Sequence, residues 1–449
     1  MSSLQTLIKT YSIELKQSLR IGLPIMIGQL SYMLIQITDN LMIGHYGVVS
    51  LAAASFANSI FSFFLVFAVA ALHFTSTTVS KAFGAQRFSE CAEAFRVSLS
   101  VGGFLGVLML ALLFLFLPFI DQFSQPPEVV LEAGPYLSML AFSLIPLCLF
   151  HGSKQFSESV GMVWIPFYVQ LASIAFNAFF NWIFIFGNWG APELGLFGAG
   201  ISTLFVRLMS FVFLFAIILR NPQFEKYRPQ KWIGAVNQKL LKTSIRLGFP
   251  SGLQGLFEVG VFAIAGIMMG WIGAAALAAH QIALSLASAT FMVALGLGAA
   301  GNIRVSHALG RNDLKSARRI GLGIFGFISV FMLLMALLFY FFRFEIAKAF
   351  VADDFEVQAL AAKLLILAAV FQVFDGLQVT AISCLRGLED VKIPTWITFS
   401  IYWLIGLPLC YVLGFSLKLG AVGVWIGFAI ILFAIALILC LRFWRQTRS

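Results

Sequence analysis

The sequence predicts an all-α integral membrane protein, with twelve transmembrane helices forming two parallel six-helix repeats. Three observations predict it. Hydrophobic residues make up 60% of the 449-residue chain and charged residues only 11%, against roughly a quarter charged in soluble domains, and mean hydropathy is +0.96. A soluble chain of this length would form several domains with polar surfaces, and the polar material to cover them is absent. The apolar residues also fall into twelve runs, each near the roughly 20 residues that a bilayer core requires. Finally, the chain repeats itself. Arg20-Ile21-Gly22-Leu23-Pro24 recurs 226 residues later as Arg246-Leu247-Gly248-Phe249-Pro250. Leu51-Ala52-Ala53 recurs as Leu277-Ala278-Ala279, and Val79-Ser80 with Gly84 as Val305-Ser306 with Gly310. Glu128-Val129 matches Glu356-Val357, and Ile165-Pro166 matches Ile393-Pro394. Register held this long means one unit used twice, a known way to build a transporter around a central path.

The elements follow in order. Span 1 (18–43) comes after a basic stretch with Lys9, Lys16 and Arg20. It is too long for a cleavable signal peptide and lacks a small-residue cleavage site, so it is expected to stay. A loop at 44–48 without Lys or Arg leads to span 2 (49–72). The 80–96 segment (Lys81, Arg87, Arg96) is basic and precedes span 3 (95–119). The 120–128 loop carries no Lys or Arg before span 4 (129–151). Spans 5 (162–186) and 6 (194–218) flank 187–193, again without Lys or Arg. The stretch 219–245 is long and basic (Arg220, Lys226, Arg228, Lys231, Lys239, Lys242). Its Asn221-Pro222 and Arg228-Pro229 pairs break helices, so it reads as the linker between the halves. Spans 7 (246–271) and 8 (276–302) follow, then a basic 303–319 loop with Arg304, Arg311, Lys315, Arg318 and Arg319. Spans 9 (319–342) and 10 (357–383) enclose Arg343 and Lys348; spans 11 (394–416) and 12 (420–441) enclose Lys418. The tail is basic through Arg442, Arg445 and Arg448.

Leu, Phe, Ile and Ala fill the runs without strict alternation, which favours helices over barrel strands. Basic loops on alternate sides put both termini in the cytoplasm. The net charge of +10 then reflects topology, and no nucleic-acid partner is implied. Six spans per half return each repeat to its starting side, so the repeats are parallel. The expected organisation is an amino-terminal lobe at 1–218, a cytoplasmic linker at 219–245 and a carboxyl-terminal lobe at 246–449, with no separate soluble domain.

Five cysteines (Cys91, Cys148, Cys384, Cys410, Cys440) show no CxxC pair or metal spacing. His280 falls inside span 8 and His73 at the end of span 2, as polar contacts or proton carriers. No G-x-x-x-x-G-K-[ST] loop is present, so ATP is not the expected energy source. The informative polar residues are acids within the spans, since an ionised side chain in a bilayer is costly and faces a cavity or a partner. At 1.5 Å per residue, Glu258 lies roughly 15 Å and Asp375 about 16 Å from the cytoplasmic side, on different helices at one level. Asp39 lies roughly 28 Å along its helix, with Asn177 and Asn181 at about 23 and 29 Å along theirs. The two asparagines are four apart and share a face. Packing acids bonded to neighbouring Ser or Gln are the alternative for the first pair; a helix-end acid reaching water is the alternative for Asp39.

These residues resemble the multidrug and toxic compound extrusion (MATE) transporters, in their NorM-like branch. The resemblance spans nearly the whole chain. Its marks are Ile37-Thr38-Asp39-Asn40-Leu41-Met42-Ile43-Gly44, Phe257-Glu258-Val259, Ala278-Ala279-His280-Gln281, Phe374-Asp375-Gly376-Leu377-Gln378 and Ser383-Cys384-Leu385-Arg386-Gly387. It implies a V-shaped pair of six-helix bundles in the cell inner membrane that alternates between outward and inward openings. It implies export of organic cations and amphiphiles in exchange for Na+ or H+, with no other cofactor, by a monomer among membrane lipids. Glu258 and Asp375 match the family's carboxyl-terminal cation site, where Na+ would bind, and Asp39, Asn177 and Asn181 match its amino-terminal cluster. A carboxylate in apolar surroundings can hold a proton, a sodium ion or a cationic substrate, but not two at once, and this competition would couple their movements. A lipid-linked-precursor flippase would need several cationic residues for phosphate groups, whereas Arg207 and Lys363 are the only Lys or Arg away from the ends of the spans. A membrane enzyme would need a clustered His/Asp or Ser/His constellation, and none is evident.

Overall fold

The computed structural model describes residues 2–232, 234, 237–351 and 353–448, with side chains from Ser12 onward. Lys9's side chain, Ser449 and part of the 219–245 segment therefore lie outside the described residues. Among the described residues every regular element is helical, and twelve helical stretches are long and apolar enough to cross a membrane. All twelve expected spans are present.

In the first repeat the helices are α1 (Ser2–Tyr46), α2 (Val48–Ala71), α3 (Phe74–Gly84), α4 (Phe88–Phe116), α5 (Pro127–Ser159), α6 (Trp164–Phe184) and α7 (Gly195–Arg220). The second comprises α8 (Gln238–Ile272), α9 (Ala274–Gly310), α10 (Leu314–Phe341), α11 (Arg343–Phe350), α12 (Phe355–Gly387), α13 (Lys392–Phe399), α14 (Leu407–Tyr411) and α15 (Gly420–Gln446). Several helices run well past the expected apolar runs. An apolar run ends where the bilayer core ends, but the hydrogen-bond ladder need not. Thus α5 continues to Ser159 rather than stopping at 151. One span is broken at Leu72–His73, between α2 and α3. Span 11 contains π-helical turns at Ser400–Gly406 and Val412–Ser416 between its α segments, and such turns rotate side chains out of the ordinary register. The short α11, between spans 9 and 10, carries Arg343 and Lys348.

Local signals start several helices. Asp313 caps α10 by accepting from the Ser316 N–H at 2.9 Å, and Asp354 caps α12 by accepting from Val357 N–H at 3.1 Å. Pro127 opens α5, where a missing N–H costs nothing. Pro24 and Pro250 sit inside α1 and α8, as membrane helices tolerate where neighbours satisfy the freed groups.

Contacts divide the chain into two compact units: Leu30–Gly252, and the segment up to Gln29 together with Leu253–Ser449. In the Leu30–Gly252 unit α5 is central. It buries 61% of its membrane window, against 22–28% for the other spans from Val48 to Arg220, and it packs on α7, α4 and α2. In the second unit α12 has the same place, against α9, α15 and α10.

The repeated Arg-x-Gly-x-Pro motif explains where each unit begins. Gly22 on α1 lies against Leu297 and Ala300 of α9, and on the same face a Cβ at Gly296 would stand 2.5 Å from the Met26 Cα. In the other unit Gly248 on α8 lies against the Ala71 carbonyl and Phe74. Each repeat therefore sends the start of its first helix into the unit formed mainly by the other repeat. Small residues permit such close backbone approach in membrane helices. Phe104, Leu115 and Leu131 are among the large apolar side chains that stay exposed, as a lipid-facing surface requires.

Candidate functional site

In the unit containing Leu253–Ser449, α8 and α12 bring Glu258 and Asp375 within electrostatic reach of each other. Asp375 is buried, and one oxygen of each carboxylate is buried without a hydrogen-bond partner. Gln254, one turn before Glu258, is also buried with both side-chain polar atoms unpartnered. A buried polar atom without a protein partner is costly, so Gln254, Glu258 and Asp375 form a group able to take a proton, a cation or water. Around them, Tyr402 and Gln378 exchange hydrogen bonds at 2.7 and 2.9 Å. The π turn at Ser400–Gly406 carries Tyr402 inward, and its neighbour Trp403 donates to the Phe257 carbonyl at 3.1 Å. Arg386, buried near the end of α12, is an electrostatic partner of Glu258.

In the Leu30–Gly252 unit, Asp39 on α1 accepts two hydrogen bonds at one oxygen. Asn177 donates at 3.0 Å and Asn181 at 2.6 Å, both from α6 and both buried. The four-residue spacing places both amides on the face that meets Asp39. A carboxylate offers only acceptors, so the two NH2 groups are the complementary choice. Asp39 opens on a cavity of about 250 Å³, lined also by Tyr32, Gln36, Tyr136, His151 and Arg207. Arg207 on α7 donates to the Ser143 hydroxyl at 2.6 Å and lies over the Phe61 ring at 5.1 Å.

All five residues singled out from the sequence thus fall into two groups, Glu258 with Asp375 and Asp39 with Asn177 and Asn181. Gln254, Gln378 and Tyr402 were missed. Their signal was available, since each is a polar side chain inside an apolar run, but only the fold shows which of many such residues converge. Lys154 and Glu158 were missed because the span was expected to end at 151; α5 carries both, buried, with Nζ and Oε1 3.8 Å apart. His73 sits at the α2–α3 break, its ring nitrogen 3.0 Å from the Ala70 carbonyl. His280 is buried edge-on to Trp425. The five cysteines are free, and among the described residues no group of three His, Cys, Asp or Glu could hold a metal.

A family profile described as MatE matches residues 24–183 and 250–412. The chain is 35% identical over 435 residues to a "Probable multidrug resistance protein NorM" of Bradyrhizobium diazoefficiens, covering 96% of this chain and 93% of that protein. A protein of the same description from Rhizobium meliloti is 32% identical, covering 96% and 94%. Among solved structures, the Vibrio cholerae MATE transporter VcmN in the bent form superposes with a TM-score of 0.87 at 21% identity, covering 98% of each chain. The eukaryotic MATE transporter AtDTX14 gives 0.87 at 20% identity, again covering 98% of each.

Proposed function

The chain belongs to the MatE family, and from that premise we propose that it is a secondary active antiporter of the multidrug type, exporting cationic or amphiphilic organic compounds in exchange for Na+ or H+ by alternating access. The protein is a multi-pass membrane transporter, not an enzyme. The proposal places it in the cell inner membrane as a monomer among lipids, with both termini cytoplasmic, as the alternation of basic loops requires. Its halves are 1–218 and 246–449 around the 219–245 linker, and its substrates are small organic cations.

One observation carries the reading. Glu258 and Asp375 place two acids inside a membrane-spanning unit, each with a buried oxygen that no protein group satisfies. Two acids that repel each other, with Arg386 acting on Glu258, favour a bound cation or a proton at the unsatisfied oxygens. Oxygen donors from Glu258, Asp375 and Gln254 suit a hard cation such as Na+, and the carboxylates equally accept a proton. Either occupant would be displaced by a positively charged substrate, which is the competition that antiport needs. Asp39, held by Asn177 and Asn181 at the edge of an aromatic-walled cavity, supplies a second place for a proton or a substrate cation. Arg207 is the only Lys or Arg among the described lining residues of that cavity, which disfavours phosphate-bearing lipid precursors.

The deciding experiment is transport in proteoliposomes with an imposed Na+ gradient or an imposed H+ gradient, each tested alone. Uphill movement of an organic cation driven by one of them is the expected result. Movement only down the substrate's own gradient would identify a passive channel and overturn the antiport reading.

A further inference from the structure

The central helix of the Leu30–Gly252 unit carries a stripe of polar side chains that the proposed exchange does not yet use. Ser143, His151, Lys154 and Glu158 fall on α5 at spacings of eight, three and four, which keeps them near one face of the helix. The stripe begins at the cavity, since Ser143 bonds Arg207 and His151 lines the same cavity as Asp39. It runs about 22 Å at 1.5 Å per residue to Glu158, just before the turn at Val160–Gly161 where the chain leaves the helix. That turn is on the side where the chain starts, the cytoplasmic side under the proposed topology.

Lys154 and Glu158 are each 5% exposed, and their charged atoms are 3.8 Å apart. A buried ion pair is weak evidence for stability, because a well-packed apolar pair often serves as well. Nor does docking of α5 require these charges. Gln155 accepts from the Ser76 N–H at 3.3 Å and Ser159 donates to the Ser76 carbonyl at 3.3 Å, so uncharged neighbours already tie this end of α5 to α3. Ionisable side chains held inside a membrane protein generally mark a path for ions or protons.

We propose that His151, Lys154 and Glu158 form the route by which Asp39 exchanges its proton with the cytoplasm. The inference rests on the proposed antiport and specifies H+ as the ion that the Asp39 cavity handles. The cavity has room for several waters. Asp39 releases its proton through this water to the imidazole of His151. The Lys154 ammonium passes a proton to its Glu158 carboxylate partner, and the Lys154 amine so formed accepts one from the imidazolium. Glu158 then releases a proton to solvent at the turn. One proton crosses, and each relay group returns to its starting state. The steps from His151 to Lys154 and from Lys154 to Glu158 are each about one helical turn. Other charged or titratable groups surround the route. Arg207 on α7 and His73 at the α2–α3 break act on His151. On this side α3 carries Lys81, and α4 carries Cys91 and a Glu93–Arg96 pair at 3.0 Å. The α6 helix adds no charged side chain.

The test uses the full-length protein in proteoliposomes with tetraphenylphosphonium as the probe cation. The variants are Glu158→Gln and the apolar replacement Lys154→Met with Glu158→Leu. Uptake driven by an imposed pH gradient should fall about tenfold or more, as expected when a positioned proton carrier is removed. Probe binding at equilibrium, and probe-for-probe counterflow at equal pH, should stay at the wild-type level. Full pH-driven uptake in both variants would overturn the route. A parallel loss of binding, counterflow and uptake in both would show a structural pair and would equally overturn it. If the wild type itself shows no pH-driven uptake but responds to Na+, proton handling at Asp39 is refuted while antiport stands. If neither gradient drives the wild type, the antiport reading itself fails.

Discussion

Replacing Gly296 by alanine should destabilise the protein, while the same change at Gly22, in the same helix pair, should be nearly silent. At Gly296 the added Cβ would stand 2.5 Å from the Met26 Cα and 2.6 Å from its backbone nitrogen; at Gly22 the nearest contact is the Ala300 Cβ at 3.4 Å. Ordinary contact begins near the latter value, so α1 and α9 would have to separate by about 1 Å at Gly296, and backbone atoms cannot rotate away as a side chain can. Overpacking of this kind costs roughly 1–3 kcal/mol, and at about 2–4 °C per kcal/mol for a unit of this size the melting temperature should fall by several degrees. The assay is thermal unfolding of the detergent-purified protein, with Gly22→Ala as the matched control. Equal melting temperatures for wild type and Gly296→Ala, or equal losses in both variants, would refute the close approach of α1 to α9.

Three further outcomes are expected. Glu258→Gln and Asp375→Asn should each abolish coupled export while leaving the protein in the membrane. The loss of one charge about 4 Å from a bound cation is worth roughly 4 kcal/mol at an effective dielectric constant of 20, or about a thousandfold in cation affinity; wild-type export by both variants would mark the acids as structural. Asp39→Asn should change the cation dependence of drug affinity measured at equilibrium, because binding effects between coupled sites are reciprocal, and unchanged affinity with unchanged dependence would leave Asp39 a packing acid. At Asp313, hydrogen bonds with Ser316 hold the carboxyl below its usual range. A group with a depressed folded value stabilises above its unfolded pKa and loses that contribution as pH falls through the folded one. Asp313→Ala should therefore cost about 1 kcal/mol at neutral pH, a gap that closes below about pH 4 in unfolding curves; a gap independent of pH would count against the capping carboxylate.

Much of this structure was legible in the sequence because bilayer burial leaves a coarse signal. A run of about 20 apolar residues can be counted, and all twelve were. Acids inside such runs are rare enough to name, so Glu258, Asp375 and Asp39 stood out, and axial rise alone put Asn177 and Asn181 near Asp39, where both donate to it. What escaped depends on geometry beyond the apolar run. Lys154 and Glu158 ended up buried because α5 continues into a protein interior that is no longer lipid. Tyr402 meets Gln378 because of π turns that no helical period anticipates. The division of α1 between two units was also invisible, since the repeated Arg-x-Gly-x-Pro motif marks where each repeat starts but not which neighbour receives it.

That division has a consequence for how the protein is made. The segment up to Gln29 belongs with Leu253–Ser449, yet it is synthesised first and its partners last. Ribosomes add about 5–20 residues per second, so the Gly22 and Met26 face of α1 waits roughly 12–50 s before α9 (Ala274–Gly310) begins to emerge. Through that interval it has lipid for a neighbour, and no amount of correct folding in the first half can relieve it. Completion of the amino terminus is therefore a late event, closed from the other end of the chain. A nascent protein that stalls within the second repeat carries an unfinished first helix, whatever the state of the helices between.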